Sequence, residues 1–141
     1  METNATFRLT GDNEPLTAAA VTTRLGLRPT TAFEAGTAVG PRSGRLRGYS
    51  FWALEASPTI ASGVELAEQL HKLLDQLEPL SDELWALARQ GYEANWFCFV
   101  ASHATEHAVE LDRRTMERLL RLPGDLWLDV CGDDLEGSPT A

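Results

Sequence analysis

The order of the predicted elements places this chain in the α+β class, as a twisted, mainly antiparallel sheet with helices packed on one face. Two observations predict this class. Short runs of alternating apolar and polar residues are typical of half-buried strands, whereas one long run repeats leucine at the spacing of an amphipathic helix. The runs follow the order strand, helix, hairpin or loop, strand, helix pair, strand, helix, strand, so each chain end is a strand–helix–strand unit.

The first half begins with a strand at 6–10, followed by a helix that Thr17 caps and Gly26 ends. Residues 30–48 are rich in glycine, proline, threonine and arginine, which favours a long hairpin or a mobile loop over regular core structure. A strong strand is predicted next, at 49–56.

The second half alternates helices and strands. Leucines at spacings of three and four predict a long helix that ends at Pro79, and a shorter helix follows at 81–88. Strands are predicted at 94–101 and 126–131, and the helix between them is capped by Asp112.

Length and composition indicate one domain over residues 1–141, with a core at about 6–131 and a flexible acidic tail at 132–141. The chain is 43% hydrophobic and 23% charged, which is ordinary for a globular protein. No stretch reaches the roughly 20 apolar residues of a membrane-spanning helix, and the first ten residues do not have the layout of a signal peptide. We therefore expect a cytoplasmic protein that does not bind membranes.

Two cysteines, Cys98 and Cys131, lie in apolar runs that resemble strands. Neither has a second cysteine at CxxC spacing, so thioredoxin-like chemistry is not supported. In a chain without a secretion signal, such residues are predicted to be free, buried thiols.

Negative charge is concentrated in the second half of the chain. The net charge is −9 at pH 7, and residues 61–141 contain 16 acidic and six basic residues. This distribution argues against nucleic acid as a partner, because binding a polyanion requires clustered lysine and arginine. A basic protein is the natural complement of an acidic surface. The preferred hypothesis is a non-enzymatic protein-interaction module that docks through Glu65, Glu68 and Asp75, with solubility alone and a homodimer as open alternatives.

Several short motifs resemble a bacterial family known as domain of unknown function 4279 (DUF4279). They are Phe7 followed by Gly11-Asp12, Leu25-Gly26-Leu27 with Pro29-Thr30, Gly36, Trp52-Ala53-Leu54, the leucine-rich run from Leu66 to Leu77, and Leu126 to Val130. The resemblance spans nearly the whole chain. It implies a shared fold, supplies no catalytic residues or cofactor, and suggests an immunity-type inhibitor as one form of the interaction module.

The basic cluster of the chain lies in the glycine-rich segment. Arg42, Arg45 and Arg47 lie near flexible glycines, and three guanidinium groups can hold a phosphate or carboxylate by paired hydrogen bonds. Trp52 is the aromatic residue predicted to lie beside this site. Nucleotide hydrolysis is not supported, because no GxxxxGK[ST] motif is present. A domain that binds a small anion or small molecule is the second hypothesis, and an exposed hairpin with solvated charges is its structural alternative.

A metal site is the third and most remote hypothesis. His103, Glu106 and His107 form an HxxEH string, which inverted zinc peptidases use on a helix together with a third ligand. Here the string directly follows a predicted strand, and a solvated connector is the preferred interpretation. We therefore assign no catalytic residue, metal or cofactor.

Aromatic residues are the last candidate group. They are Phe51, Trp52, Trp85, Trp96, Phe97, Phe99 and Trp127. Alternating aromatics on strands can stack nucleic-acid bases, but the negative charge argues against that function, and packing in the hydrophobic core is the preferred interpretation.

Overall fold

The computed structural model describes residues 1–103 and 108–132, which form six strands and four α-helices. The strands are Glu2–Gly11 (β1), Thr31–Phe33 (β2), Ser50–Glu55 (β3), Ala61–Ser62 (β4), Glu93–Ser102 (β5) and Asp125–Gly132 (β6). The helices are Ala18–Leu25 (α1), Leu66–Leu77 (α2), Ser81–Gln90 (α3) and Arg113–Leu120 (α4), with a 3₁₀ turn at Glu78–Leu80 between α2 and α3. The predicted α+β class is confirmed.

Strand β1 lies at the centre of the sheet. The strand order is β2-β3-β1-β5-β6, and the short β4 also pairs with the start of β1. Every pairing is antiparallel except that of β5 with β6, which is parallel. Helix α4 supplies the crossover connection that a parallel pair requires. The sheet is therefore mainly antiparallel, as predicted.

All four helices contribute to one core on one face of the sheet. The strand residues in that core occupy positions that the pairing register places on the same face: Ala5, Phe7, Leu9, Trp52, Leu54, Trp96, Cys98 and Val100. The rings of Phe7 and Trp96 pack with their centroids 4.7 Å apart at its centre. Successive side chains of a strand point to opposite faces, so the residues between these positions point away from the helices.

Helix ends follow the capping residues predicted from the sequence. The Thr17 side chain accepts a hydrogen bond from a backbone N–H three residues further on, and Gly26 ends α1 with a φ of 66°. Asp112 caps α4 in the same way as Thr17 caps α1. Gly91 ends α3 with a φ of 116°. Glycine is favoured at both C-terminal positions because it has no Cβ to hinder a left-handed backbone.

Residues 30–48 contain β2 and then a hairpin, which is one of the two predicted alternatives. The backbone N–H of Val39 donates to the carbonyl of Arg45 at 2.8 Å, and that of Arg47 donates to the carbonyl of Thr37 at 2.8 Å. These bonds across the two arms hold the arginine-rich segment in a hairpin.

The two cysteines lie on opposite faces of the sheet. Cys98 on β5 is buried, and burial raises the pKa of its thiol to about 12. Cys131 on β6 is exposed. The prediction that both thiols are buried is therefore wrong for Cys131, because β6 is an edge strand that is exposed along its whole length. Both thiols are free, as expected.

The predicted tail at 132–141 lies outside the described residues except for Gly132, the last residue of β6. Over the ranges 1–103 and 108–132, no helix combines the length and apolar character needed to cross a bilayer.

A buried polar cluster joins α2 to β1. Gln69 is fully buried, although it lies on the leucine-rich side of α2. Its amide nitrogen donates to the carbonyl of Thr3 at 3.1 Å, and its oxygen accepts from the hydroxyl of Ser57 at 2.8 Å. The buried Asn4 exchanges hydrogen bonds with the backbone of Ser57. The cluster therefore satisfies its own polar groups, as buried polar groups require.

We expect Gln69→Ala to lower the free energy of unfolding by about 1–3 kcal/mol, because the hydroxyl of Ser57 and the carbonyl of Thr3 lose a partner in a buried site. Urea denaturation measures the loss. Gln76→Ala is the matched control, since Gln76 is exposed on the same helix, and it should change stability by no more than about 0.5 kcal/mol. Equal losses in the two variants would contradict this role of the cluster.

Candidate functional site

The acidic residues predicted as a docking surface lie along the exposed side of α2. Glu65 is the N-cap residue, and Glu68 and Asp75 are exposed further along the helix. The exposed Lys72 lies between them, so the row is not uniformly negative. Asp75 also accepts a hydrogen bond from Arg118 of α4 at 2.8 Å. Helix α4 thus neutralises the C-terminal part of the predicted surface.

Arg118 is the centre of the contact between α2 and α4. Its side chain is only 11% exposed, and it donates to both carboxylate oxygens of Glu78, at 2.6 and 3.0 Å. It also donates to Nδ1 of His71 at 2.5 Å. Because Nδ1 accepts, we assign the proton to Nε2, which lies 3.1 Å from the hydroxyl of Thr115. That hydroxyl donates to Asp112 at 2.7 Å, which completes a continuous hydrogen-bonded chain.

These contacts change the acidity of the groups involved. The hydrogen bond from Arg118 lowers the pKa of Glu78, and hydrogen bonds from Thr115 lower the pKa of Asp112. The same pairing with Glu78 raises the pKa of Arg118. Each shift favours the charged form that the contact uses. These charges therefore hold α4 against the C-terminal end of α2 and the 3₁₀ turn that follows it.

The predicted arginine cluster lies on the hairpin. Arg42 and Arg45 are exposed near its tip. Arg47 lies 4.4 Å from the ring centroid of Phe33 and donates to a hydroxyl and a carbonyl of the opposite arm. Arg45 and Arg47 line a groove of about 390 Å³ together with Phe33 and Tyr49. Arg47 thus both closes the hairpin and forms one wall of a groove.

Trp52 does not belong to that groove. Its indole is fully buried in the core, where Nε1 donates to the hydroxyl of Thr22 at 3.0 Å. The prediction that Trp52 contacts an anion beside the arginines is therefore wrong. Its neighbour Phe51 points to the opposite face of the sheet and stacks on Phe33, with ring centroids 5.1 Å apart. Phe51 and Trp52 have different surroundings because successive side chains of β3 point to opposite faces of the sheet.

The HxxEH string lies mostly outside the described residues. His103 is exposed and follows β5 directly, outside any helix, whereas Glu106 and His107 are not among the described residues. Within the described ranges, no group of three or more histidine, cysteine, aspartate or glutamate side chains could hold a metal ion. The described residues therefore provide no geometry for the zinc hypothesis.

The face of the sheet opposite the helices, here called the open face, is rich in aromatic side chains. It carries Phe33, Tyr49, Phe51, Phe97, Phe99 and Trp127. The four phenylalanines are half-buried, and Trp127 is 56% exposed. The expectation of core packing is right for Trp52 and Trp96. It is wrong for the open-face residues Phe51, Phe97, Phe99 and Trp127 and for the exposed Trp85.

Arg8 lies at the centre of the open face, on the middle strand of the sheet. Its guanidinium is 4.4 Å from the ring centroid of Phe97, and its Nε donates to the side-chain oxygen of Asn95 at 2.7 Å. No carboxylate of the described residues forms an ion pair with it. Burial lowers its pKa, although it is still protonated at neutral pH. Arg8 is therefore a partly desolvated cation that Phe97 and Asn95 hold in place, with no counter-charge supplied by the part of the chain described.

The sequences of β3 and β5 already indicate a second apolar face of the sheet. A strand with one solvated face alternates apolar and polar residues. The run 96–99 is Trp-Phe-Cys-Phe and the pair 51–52 is Phe-Trp, so both faces of β3 and β5 are apolar. Since the helices cover one face, the second apolar set predicts a sheet face that is apolar and not covered by helices.

The comparisons with known proteins identify a family. The family model described as domain of unknown function (DUF4279) matches residues 1–132, which include every strand and helix from β1 to β6. Neither the curated proteins nor the solved structures contain a match to this chain. The resemblance inferred from the sequence motifs is confirmed.

We expect Arg118→Ala to lower the free energy of unfolding by about 1–3 kcal/mol at neutral pH, because Glu78 and His71 lose a charged hydrogen-bond donor. The pKa of Glu78 is below its ordinary value of 4.5 in the folded protein. The stabilisation is therefore complete above that value and is lost as the pH falls through the folded-state pKa. Urea denaturation at neutral pH and well below that value should show a difference from the wild type that shrinks on acidification.

Arg113→Ala is the matched control for this prediction, since Arg113 is exposed on the same helix. It should change stability by no more than about 0.5 kcal/mol at either pH. A stability loss in Arg118→Ala that is independent of pH would show that the pairing with Glu78 is not its cause.

Proposed function

The chain belongs to the DUF4279 family, and from the geometry of the open face we propose that it is a non-enzymatic protein-interaction module. The observation that carries the proposal is Arg8, which is partly desolvated, stacked on Phe97 and fixed by Asn95 without a carboxylate partner among the described residues. Arginine and large aromatic residues are enriched among the side chains that dominate binding energy at protein interfaces.

The open face presents two aromatic groups with Arg8 between them. One group is built around the stacked pair of Phe33 and Phe51. The other is built around Phe97 on β5 and Trp127 on β6, which lie opposite each other in the parallel register. Small molecules bind mainly in concave pockets that enclose them. A broad sheet face with separated aromatic groups suits the surface of a protein better.

The partner that fits is a protein of net positive charge with an apolar contact segment. A net charge of −9 attracts a basic protein over long distances and speeds association. At close range, apolar side chains of the partner pack on the aromatic groups, and one carboxylate or carbonyl oxygen accepts from Arg8. An immunity-type inhibitor of a basic toxin is one form of such a module. The proposal places it in the cytoplasm, and the free thiols of Cys98 and Cys131 are compatible with that compartment.

Affinity capture from host lysate, followed by titration of the recovered partner, tests the proposal. We expect Phe51→Ala and Arg8→Gln each to weaken binding about tenfold or more, because each removes a central contact. Ile60→Ala is the matched control, since Ile60 is a 50% exposed apolar residue of the β3–β4 loop that belongs to neither aromatic group. The control should bind like the wild type, and the affinity of all forms should fall as salt screens the net charge.

The same titration distinguishes the open face from the acidic side of α2. The combined variant Glu65→Gln, Glu68→Gln and Asp75→Asn removes three negative charges from α2. If α2 is the docking surface, this variant should lose most of its affinity and its salt dependence, while Phe51→Ala binds normally. That pattern would contradict binding through the open face.

The groove beside the hairpin favours a second candidate function, which is the binding of a small anion. Arg45 and Arg47 line this groove with Phe33 and Tyr49, so two guanidinium groups and two aromatic rings converge there. An anion that binds the folded protein raises its melting temperature. We expect phosphate or a simple carboxylate to produce such a shift, and Arg45→Ala or the combined alanine variant of Arg42, Arg45 and Arg47 to abolish it. The absence of any shift across a panel of anions would count against this function.

A further inference from the structure

The hydrogen-bonding edge of β6 is a second uncovered surface, distinct from the open face to which the strand contributes Trp127. In the described part of the chain, β6 pairs only with β5, and all eight of its residues are exposed. Of the eleven exposed large hydrophobic side chains among the described residues, seven lie on β6 or beside it. These seven are Trp85, Met116, Leu120, Leu126, Trp127, Leu128 and Val130. A long apolar edge strand is a template for pairing with another chain.

We propose that a second copy of this chain covers β6 by antiparallel pairing of the two β6 strands, with Leu128 on the two-fold axis. In a two-fold dimer, every contact between two different positions occurs twice, once in each direction. For two antiparallel neighbouring strands, the axis is perpendicular to the sheet, so residues equally far from the axial residue on either side lie opposite each other. Both copies then present their helices on the same side of one continuous sheet.

The sequence of β6 is complementary to itself in this register. Leu126 lies opposite Val130 of the second copy on the helix side, so this side of the contact is entirely apolar. On the open face, Trp127 lies opposite Asp129, and Asp125 lies opposite Cys131. The paired segments cover seven of the eight residues of β6, and no two carboxylates are opposite each other.

Other registers do not have these properties. An axis at Trp127 places Asp125 opposite Asp129, and an axis at Asp129 places that carboxylate opposite its own copy. Like charges at directly opposite positions destabilise a strand pair. An axis at Leu126 or Val130 avoids this, but it pairs only three or five residues of the strand. Charge and strand length together therefore select Leu128.

The region beside β6 extends the interface. A groove of about 490 Å³ lies next to the strand on the helix side, lined by residues that include Trp85, Met116, Leu120 and Leu126. In the dimer, the two grooves flank the axis, and their apolar side chains are covered together with the strand. Stable interfaces bury roughly 800 Å² on each partner, so the proposal requires this flanking apolar region to be buried together with the strand.

Cysteine cross-linking tests the register directly. In a Cys131→Ser background, Leu128→Cys faces its own copy across the axis and should form an intermolecular disulfide on mild oxidation. Opposite Cα atoms of an antiparallel pair lie about 4.5–5.5 Å apart, within the range that a disulfide spans. Leu126→Cys and Val130→Cys should each fail to cross-link alone, whereas an equal mixture of the two variants should cross-link.

Charge substitution at Trp127 tests the same register without thiols. Trp127→Lys places an ammonium group opposite Asp129 of the second copy, whereas Trp127→Asp places a carboxylate there. In sedimentation equilibrium, the lysine variant should dimerise roughly tenfold more tightly than the aspartate variant, or more, because the charge pair occurs twice. Both variants remove the same exposed indole, so a purely structural role of Trp127 does not separate them. Circular dichroism of both variants checks that they are folded.

Three results would overturn the dimer. They are a monomer at every concentration measured, a dimer that Leu128→Lys leaves intact, and a dimer whose cross-links do not follow the Leu128 register. A failure of the proposed function can be distinguished from a failure of the dimer, because the two proposals are tested at different residues. Phe51→Ala and Arg8→Gln lie off β6 and should leave the dimer unchanged, whereas Leu128→Lys leaves the aromatic groups around Phe33 and Phe51 in place.

Discussion

The alternation of side chains along β1 and its two neighbours is the constraint on which the rest of this structure depends. Phe7 points to the helix layer and packs on Trp96, while the next residue, Arg8, points to the opposite face and stacks on Phe97. All four helices contribute to the core on the Phe7 side. Except for the buried Asn4 and Ala53, the side chains that β1, β3 and β5 carry on the other side are therefore left at least partly open to solvent or a partner, in the part of the chain described.

The position of α4 has a second consequence for the surface. A crossover helix between parallel strands normally lies over both strands and buries one side of them. Here Arg118 holds α4 against α2 through Glu78 and Asp75. The helix side of β6 remains uncovered, with Leu128 51% exposed. The arrangement in which Arg118 pairs with Asp75 and Glu78 is thus also the one that leaves an apolar strand at the sheet edge.

The two surfaces have different chemistry and are compatible with each other. The edge of β6 offers backbone hydrogen bonds and apolar side chains, which suit another strand. The open face offers aromatic rings and the guanidinium of Arg8, which has no carboxylate partner among the described residues and suits a protein surface. Because pairing through β6 extends the sheet without covering its open face, a dimer presents two adjacent copies of that face. A partner with two contact sites then gains from effective concentration as well as from each contact.

The sequence by itself determined the elements and their ends. Thr17, Gly26 and Asp112 mark helix ends because a cap bonds to backbone groups only a few residues away. The leucine spacing of α2 and the alternation of the strands are likewise local patterns. The family resemblance drew on the same local motifs, which is why element order, fold class and family could all be predicted.

Only the tertiary structure decided which residues are buried or paired and which lie on an uncovered surface. Trp52 is in the core and Phe51 on the open face because the helices cover one side of the sheet, and alternation alone does not say which side. Asp75 is paired because α4 brings Arg118 to it across 43 positions of sequence. Strand β6 is an edge because of the strand order. Strand order and helix placement depend on contacts between distant residues, whereas local patterns reach only a few positions along the chain.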